Sequence, residues 1–497
     1  MDETDVVIVG AGPTGLMLAN CLAKLGVAAV IVDGKSGPTR ESRALVLQAR
    51  TMEIYDQLGV VDQVLAEAEQ ASSIVPGFEK RKFGKINLEQ LATGITPYPH
   101  LYVLEQSKNE RILVDTLHHA GREVLWNHSV TSITSDSDKV RVVAGDVTIV
   151  ARYCVGADGS SSEVRRLLGI PFEGATNEHT FYVADATGVK GLVLDAINLR
   201  FGETDFLLTF PMDSIDHQRV LGVVRNSDGS EVSEESARAT LDRAFAVTYD
   251  RSAWFSTYRV HHRVAQRFRT ARVFLAGDAA HVHSPVGAQG MNTGLQDAHN
   301  LACKIADVIF GRAPDEYLDR YEAERRPAAK RLVSTTDTMF GVITSDKLGP
   351  RLVRRFLLPL AAPLAASLVP RIVASSRIFE YISQIRIHYW MTADAKRAAR
   401  GRRGKVVGRR LPWNGDNFDS LRNMEWQLHI YGPIDPAVVE HFGTELAVPV
   451  SVFTDIRNRR LQSGWAYLVR PDGFVAASAA AGAGELRAGL PAGLQRF

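Results

Sequence analysis

Cysteine is scarce in this chain. Three occur in 497 residues, Cys21, Cys154 and Cys303, far apart and in no C-x-x-C pair. That spacing excludes a disulfide framework and a zinc ribbon, and it suits a reducing cytosol. An excess of one charge is lacking too. The formal net charge is +2, too small to draw the chain to nucleic acid or to a membrane surface. No apolar run is long enough to span a bilayer. The nearest, residues 356–370 (FLLPLAAPLAASLVP), has 15 residues and three prolines, against the roughly 20 apolar residues of a spanning helix. Arg351, Arg354 and Arg355 precede it. It therefore reads as a buried pair of interdomain helices, with a membrane-surface segment as the alternative. The acidic start MDETDVV runs straight into a strand-like run, so no signal peptide is expected. A nucleophile elbow G-x-S-x-G is absent. His281 and His283 form H-x-H, and His118-His119 and His261-His262 are adjacent pairs, but none has a partner at zinc-ligand spacing. No metal is expected, and His281 reads as part of a packed loop after a strand.

What is present begins at residue 4. The length predicts two or three domains. Residues 4–33, TDVVIVGAGPTGLMLANCLAKLGVAAVIVD, hold an apolar strand, the triplet Gly10, Gly12 and Gly15, a helical pattern from Pro13 to Leu25 and a second strand. That strand ends at Asp33, 18 residues after Gly15. Each part suits a bound dinucleotide. Gly10 permits the tight turn, Gly12 lets backbone approach a pyrophosphate, and Gly15 lets the helix sit close on the sheet. The helix N-terminus offers free N–H groups to phosphate. Asp33 can accept hydrogen bonds from a ribose.

Two later segments have a similar build. In CVGADGSSSEVRRLLGI (154–170) an apolar strand leads into Asp158-Gly159 and a helical pattern containing Val164 and Arg165. In RVFLAGDAAHVHSPVGAQGMN (272–292) a strand ends at Gly277-Asp278, and a loop with Pro285, Gly287 and Gly290 precedes a helical pattern from about Met291 to Ile309. Alone, Gly277-Asp278 is an ordinary strand-end turn with a capping carboxylate. The last loop adds glycines that allow close approach of a flat ring. Backbone N–H groups from Gly287 to Asn292, opening a helix, could stabilise negative charge on that ring.

Together the three segments resemble the signatures of the group A flavin-dependent aromatic monooxygenases, in the family's order, over about the first 400 residues. The resemblance implies an α/β fold: a Rossmann-like FAD-binding domain with an inserted antiparallel substrate sheet, p-hydroxybenzoate-hydroxylase-like. It implies non-covalent FAD, with Asp278 on a ribitol hydroxyl and Asp158 near the pyrophosphate and NADPH. Gln106 and Glu110, in LEQSKNERILVDTL, match a flavin-contacting helix start. Arg43, in SRALVLQARTMEIYDQLG, matches an arginine near the flavin and the nicotinamide cofactor. Pro285, Gly290, Met291 and Asn292 fall in the flavin loop. Asp33 stands where the family more often has Glu, and either carboxylate can serve. The chemistry so implied is NADPH (or NADH) reduction of FAD, O₂ addition to a C4a-hydroperoxide, and transfer of one oxygen to an aromatic substrate, with no catalytic side chain assigned. A second G-x-G-x-x-G is missing, so no separate NADPH domain is expected.

Residues 175–261 alternate apolar and polar, as in HTFYVADAT (179–187), DFLLTFPMD (205–213) and RVLGVVRN (219–226), which predicts the antiparallel substrate sheet. Phe210, Pro211, Met212 and Pro285 are pocket candidates, with plain sheet core as the equal alternative. The expected boundaries are 1–174 and 262–395 for the FAD-binding domain with a helical extension, and 175–261 for the sheet. Residues 396–410 (KRAARGRRGKVVGRR) hold eight basic residues and no acid. Without interleaved aromatics they read as a solvated linker. Residues 411–497 resemble the thioredoxin-like C-terminal domain of larger polyketide and phenol hydroxylases, here without C-x-x-C, so packing or dimerisation is its expected role. Arg470-Pro471-Asp472-Gly473 reads as a tight turn. The resemblance points to a bulky aromatic or polyketide-like substrate of anthracycline, angucycline, rifamycin or tetracycline type, in a cytoplasmic monomer or homodimer. A flavin-dependent halogenase or reductase is the alternative enzyme, although W-x-W-x-I-P is absent. A non-enzymatic flavoprotein that sequesters a ligand is the other.

Overall fold

The computed structural model describes residues 3–39, 44–203, 205–214, 216–224, 232–283, 289–344, 377–389, 406–480, 484–491 and 493–494. Strand β1 (Glu3–Val9), helix α1 (Pro13–Lys24) and strand β2 (Ala29–Asp33) form the N-terminal unit. Pro13 sits at the first helical position, where its missing N–H has no partner to lose. Leu16, Met17, Leu18 and Leu22 of α1 are fully buried. Helix α2 (Ala49–Leu58), helix α3 (Gln106–His119), strand β3 (Val124–Trp126) and strand β4 (Val147–Gly156) follow. A short helix α4 (Glu163–Leu167) leads into the second sheet, whose main strands are β5 (Phe172–Thr187), β6 (Ile197–Phe201), β7 (Phe206–Pro211) and β8 (Gln218–Val224). Helix α5 (Glu234–Phe245) and strand β9 (Arg251–Ala265) complete it, and the chain returns to the first sheet as β10 (Val273–Leu275).

The parallel core of the first sheet runs β3-β2-β1-β4-β10. Val9 pairs with Gly156, and Gly156 with Leu275. The three glycine-bearing segments therefore leave adjacent strands at one sheet edge. That edge, at the carboxyl ends of parallel strands, is where open α/β sheets bind ligands. Helix α6 (Gly290–Ile309) packs on α1, and α7 (Asp319–Thr344) follows it.

The second sheet alternates faces with period two. Tyr182, Ala184, Leu207 and Val220 meet Ala237, Leu241 and Phe245 of α5. Phe181, Val183, Leu208, Phe210 and Leu221 face residues 45–46 and 101–103. The sheet exceeds the predicted 175–261. It starts at Phe172, ends at Ala265, and gains strands 73–78, 81–82, 86–87 and 281–282. Residues 73–78 (SIVPGF) carry Pro and Gly and show no alternation. They are a strand because β6 pairs with them in parallel and residues 81–82 and 86–87 pair with them antiparallel, pairing that overrides propensity.

The tail forms strand β11 (Gln427–Tyr431), helix α8 (Pro436–Leu446) and strands β12 (Val450–Phe453), β13 (Trp465–Val469) and β14 (Val475–Ala480). Their order is β12-β11-β13-β14, with β13 antiparallel to both its neighbours and β11 parallel to β12. This is the thioredoxin-like strand order. The predicted turn is there: Gly473 donates to the Arg470 carbonyl at 2.8 Å with φ +74°. One expectation needs correcting. Residues 406–410 are packed rather than solvated: Val406, Val407 and Arg410 are buried, and Arg410 donates to the Ile95 carbonyl at 2.9 Å and pairs with Glu53. Residues 356–370 and 396–405 lie outside the described residues.

Candidate cofactor and substrate cavity

A cavity of about 1030 Å³ lies between the carboxyl edge of the parallel sheet and the second sheet. Gly10, Gly12, Asp33, Asp158 and Asp278 all line it. The three glycines of the first motif do separate jobs. Gly10 has φ +104°, and a Cβ there would lie 2.4 Å from the Ala157 carbonyl oxygen. A Cβ on Gly15 would lie 1.8 Å from the Gly10 oxygen, so Gly15 sets how closely α1 sits on the sheet. Gly12 is different. Its φ of −83° suits any residue, and a Cβ there would meet nothing within 4 Å. No protein atom requires glycine at 12; the space above it is left for a ligand. No side chain caps α1 at Gly12, so N–H groups of its first turn remain for an anion.

Asp33 accepts from the backbone N–H of Ala11 at 2.6 Å and of Lys35 at 2.7 Å, which fixes its carboxylate at the end of β2. Lys35 bridges Asp33 and Glu110, at 3.8 Å from each. Glu110 accepts from the Thr39 N–H at 2.7 Å and from Gln106 Nε2 at 2.9 Å. Gln106 and Glu110 thus reach the cavity wall together, one turn apart on α3.

Asp158 caps α4: it accepts from Ser162 Oγ at 2.5 Å and the Val164 N–H at 3.0 Å. Burial raises its pKa, and those hydrogen bonds oppose the rise. Arg165, in the helical pattern that follows Asp158-Gly159, ties two signatures together. Its guanidinium donates to the carbonyls of Ser160 at 2.7 Å and Ala279 at 2.8 Å and stacks on Phe172.

Asp278 follows Gly277, whose φ is +60°. Its side chain counts as exposed, but that surface faces the cavity, with protein around it. The surrounding protein raises its pKa, and His281 partly opposes this. The turn is locked from behind by buried Asp297, which accepts from the Gly277 N–H at 3.3 Å and Arg325 Nε at 2.6 Å and pairs with His281 Nε2 at 2.7 Å. Burial alone would raise the Asp297 pKa; Arg325 and His281 outweigh it and hold it low. His281 is fully packed, in the short strand 281–282 rather than in the expected loop, because that segment pairs with β9. Asp278→Ala should weaken FAD binding by about 1.5–3 kcal/mol, roughly 10- to 150-fold, the usual cost of one charge-assisted hydrogen bond. An unchanged FAD dissociation constant in a fluorescence titration would remove Asp278 from the site.

At the start of α6, Gln289, Gly290 and Met291 line the cavity, but Asn292 does not. Its side chain accepts from the Gln48 N–H at 2.9 Å and Thr51 Oγ1 at 2.7 Å and donates to the Val46 carbonyl at 2.7 Å. It is a buried staple between α6 and the start of α2. Arg43, Pro285 and Gly287 lie outside the described residues.

On the sheet side, Phe210 lines the cavity with Leu208, Leu221 and Tyr258, while Pro211 and Met212 do not. Successive strand residues point to opposite faces, so Phe210 excludes Pro211. Met212 lies past the strand end, buried in the apolar cluster. The i, i+2 pair Leu208 and Phe210 was legible in the sequence. Leu221, Tyr258, Arg259, His261 and His283 reach the cavity only through pairing across strands.

An ionic chain centred on buried Arg219 joins this sheet to α3. Arg219 donates to Glu105, just before α3, at 2.7 Å and to Asp185 at 3.2 Å. Asp185 also holds His217, which pairs with Asp213 at 2.5 Å. These carboxylates, Asp185 above all, raise the His217 pKa to about 9, against about 6.5 in an unfolded chain. A raised folded pKa gives stability that is complete below about pH 6.5 and lost as pH rises through 9. His217→Gln should therefore be less stable than wild type at acidic to neutral pH, with the gap closing above pH 9. Urea unfolding across that range checks it; a gap independent of pH would show that His217 is not protonated in the folded state.

Among the described residues no three His, Cys, Asp or Glu side chains are placed to hold a metal ion, and no helix is long and apolar enough to cross a membrane. A family model described as FAD binding domain matches residues 3–336. The chain belongs to that family. Its relatives include the 6-methylpretetramide 4-monooxygenase of Streptomyces rimosus, 32% identical over 78% of this chain and 70% of that one. A rifampicin monooxygenase of Rhodococcus hoagii is 32% identical over 95% of both chains. Among solved structures, the OxyS anhydrotetracycline hydroxylase from Streptomyces rimosus superposes with a TM-score of 0.77 at 29% identity, covering 98% of each chain. The chain is a flavoprotein of the FAD-dependent monooxygenase class, with the fold of the aromatic hydroxylases. The open space at Gly12, the uncapped helix and the carboxylates of Asp33 and Asp278 fit FAD.

Proposed function

We propose that this flavoprotein uses NAD(P)H and O₂ to insert one oxygen atom into a bulky aromatic or polyketide-like compound. One observation carries the reading: a single cavity runs from the dinucleotide cradle at Gly12 to an apolar wall of Leu208, Phe210, Leu221 and Tyr258. Asp33 would take the adenosine ribose, the N-terminus of α1 the pyrophosphate, and Asp278 the ribitol chain. Gln106, Glu110 and the backbone from Gly290 would border the ring, with Arg43 near the nicotinamide cofactor and Asp158 near the pyrophosphate. Bound FAD supplies the redox chemistry, taking two electrons from NAD(P)H and passing one oxygen of O₂ to substrate while the other leaves as water.

The protein's part is placement and exclusion of water. Phe210 and Tyr258 offer flat apolar surface, and Tyr258 is held by stacking on Phe181 at 5.7 Å. Residues 175–261 carry the substrate, residues 1–174 and 262–395 the FAD, and 411–497 a packing role, since no cysteine follows Cys303 for electron transfer. The test is a panel of anthracycline-, angucycline-, rifamycin- and tetracycline-type compounds. The purified protein should be yellow, and at least one compound should accelerate NAD(P)H consumption and gain one oxygen by mass spectrometry. A yellow protein that binds such compounds without either effect would be a sequestering protein instead.

A further inference from the structure

We propose that Gln384 is a positioning residue for the flavin: its amide fixes the peptide between Gln289 and Gly290 and so sets the reduction potential of bound FAD. The inference rests on the reading that the backbone from Gly290 borders the flavin ring. Gln384 lies beyond residues 3–336, the segment that matches the FAD-binding family, and it does not line the cavity. It acts through the first turn of α6.

The Gln384 side chain is buried, and both of its polar atoms are engaged. Its Nε2 donates to Thr293 Oγ1 at 2.7 Å and to the Gln289 carbonyl at 3.3 Å. Its Oε1 accepts from Gln296 Nε2. Gln289, Thr293 and Gln296 fall at i, i+4 and i+7, along one stripe of α6. The Thr293 hydroxyl and N–H also donate to the Gln289 carbonyl, each at 2.9 Å. Three donors therefore converge on one carbonyl oxygen. The side-chain donors form a chain with one direction, from Gln296 through Gln384 and Thr293 to Gln289. In a planar trans peptide the carbonyl and the following N–H point opposite ways. Holding the Gln289 carbonyl toward the helix turns the Gly290 N–H outward from the helix start, where Gln289, Gly290 and Met291 line the cavity. Among the described residues no side chain caps α6 there.

The amide itself stands on a rigid base. Gln384 follows the short helix Arg377–Ile382 with φ +57°, the left-handed conformation that ends many helices and usually falls to glycine. A side chain at this position works against the backbone's preference, and the hydrogen bonds of its amide offset that cost. Phe379 and Ile385, on either side, pack on Ala49, Ala92 and Ile95. The Arg50 N–H donates to the Ser383 carbonyl at 3.3 Å. A donor aimed at the ring favours its reduced, negatively charged form over its neutral oxidised form. Loosening the clamp should therefore weaken the binding of reduced FAD more than that of oxidised FAD.

The test uses the full-length protein loaded with FAD. Gln384→Met keeps the length of the side chain and loses the amide, and Gln384→Gly also relieves the backbone. The midpoint potential of the bound flavin is read by equilibration with a redox dye. Set against that of free FAD, it gives the ratio of the dissociation constants for reduced and oxidised FAD. That ratio should rise roughly three- to tenfold in both variants, a fall in potential of about 14 to 30 mV for a two-electron couple. The dissociation constant for oxidised FAD, from a fluorescence titration, should change less. Thr293→Val cuts the same chain at its next link and should move the potential the same way. Combining it with Gln384→Met should add little, because the two act on one carbonyl. An unchanged potential in folded variants, equal weakening of both forms of FAD, or variants that fail to fold would each show a structural role only and overturn the assignment. A yellow wild type with any of these results loses this inference alone, whereas a wild type that holds no flavin loses the parent reading with it.

Discussion

Gly12→Leu is expected to give a folded protein that is no longer yellow. The backbone at 12 has φ −83°, which leucine adopts without strain, and a Cβ there meets no protein atom. The fold loses only the difference between glycine and leucine at a helix N-cap, about 1 kcal/mol or less. The side chain instead fills the space above the uncapped turn, where a pyrophosphate must come within hydrogen-bond distance of backbone N–H groups. Gly10→Ala and Gly15→Ala are the contrasting controls. Their Cβ atoms would collide with backbone oxygens at 2.4 Å and 1.8 Å, so they should damage the β1–α1 unit itself. Circular dichroism and the flavin absorbance of purified protein separate the two outcomes. Gly12→Leu that folds and still holds stoichiometric FAD would show that the cofactor does not use this turn.

Arg470→Met should destabilise the whole chain by about 3–5 kcal/mol, the usual effect of removing one partner of a buried ion pair. Arg470 lies in the β13–β14 turn, yet it is buried against the flavin domain. It donates to both oxygens of Glu324, at 2.8 and 3.0 Å, and to Asp472 at 3.0 and 2.5 Å. Burial would raise the Glu324 pKa, but Arg470 and Lys304 keep it well below the usual carboxylate range. Lys304 itself is pushed down to about 8 by burial and by Arg470. Without Arg470 the buried carboxylates of Glu324 and Asp472 are left with Lys304 and, for Glu324, the half-exposed Arg320 at 3.4 Å. Urea unfolding should report the loss, and the Glu324→Gln double mutant should recover part of it, since coupled residues are not additive. A loss below about 1 kcal/mol would mean that this network does not hold the tail in place. Truncation after Arg410 goes further. It strips Asp307 of Trp426 Nε1, Arg50 of the Asp472 carbonyl and Gln57 of the Leu421 carbonyl. Such a chain should lose solubility or change its oligomeric state, while any soluble fraction keeps FAD.

Much of the nucleotide end of this molecule was legible in the sequence, because it is written in local chemistry. A strand, three glycines, a helix and a carboxylate need only neighbouring residues to specify a turn that can receive a phosphate. The same holds for Asp158-Gly159, Gly277-Asp278 and the Arg470–Gly473 turn, each at a strand end. What the sequence could not determine depends on pairing between distant segments. Residues 73–78 join the second sheet because β6 lies beside them in parallel, while on their other side they pair with 81–82 and 86–87. Asn292 sits one residue from the cavity wall, yet the helix phase turns its amide toward Gln48 and Thr51. Pro211 and Met212 adjoin Phe210 in sequence and leave the cavity, while Leu221, Tyr258, Arg259 and His261 enter it from other strands. The basic residue Arg410, read as solvated, is buried because Glu53 and the Ile95 carbonyl come to meet it. The physical reason is the same throughout. Turn geometry and helix termini are fixed by residues a few positions apart, whereas sheet register and helix phase are settled only when whole faces are buried together.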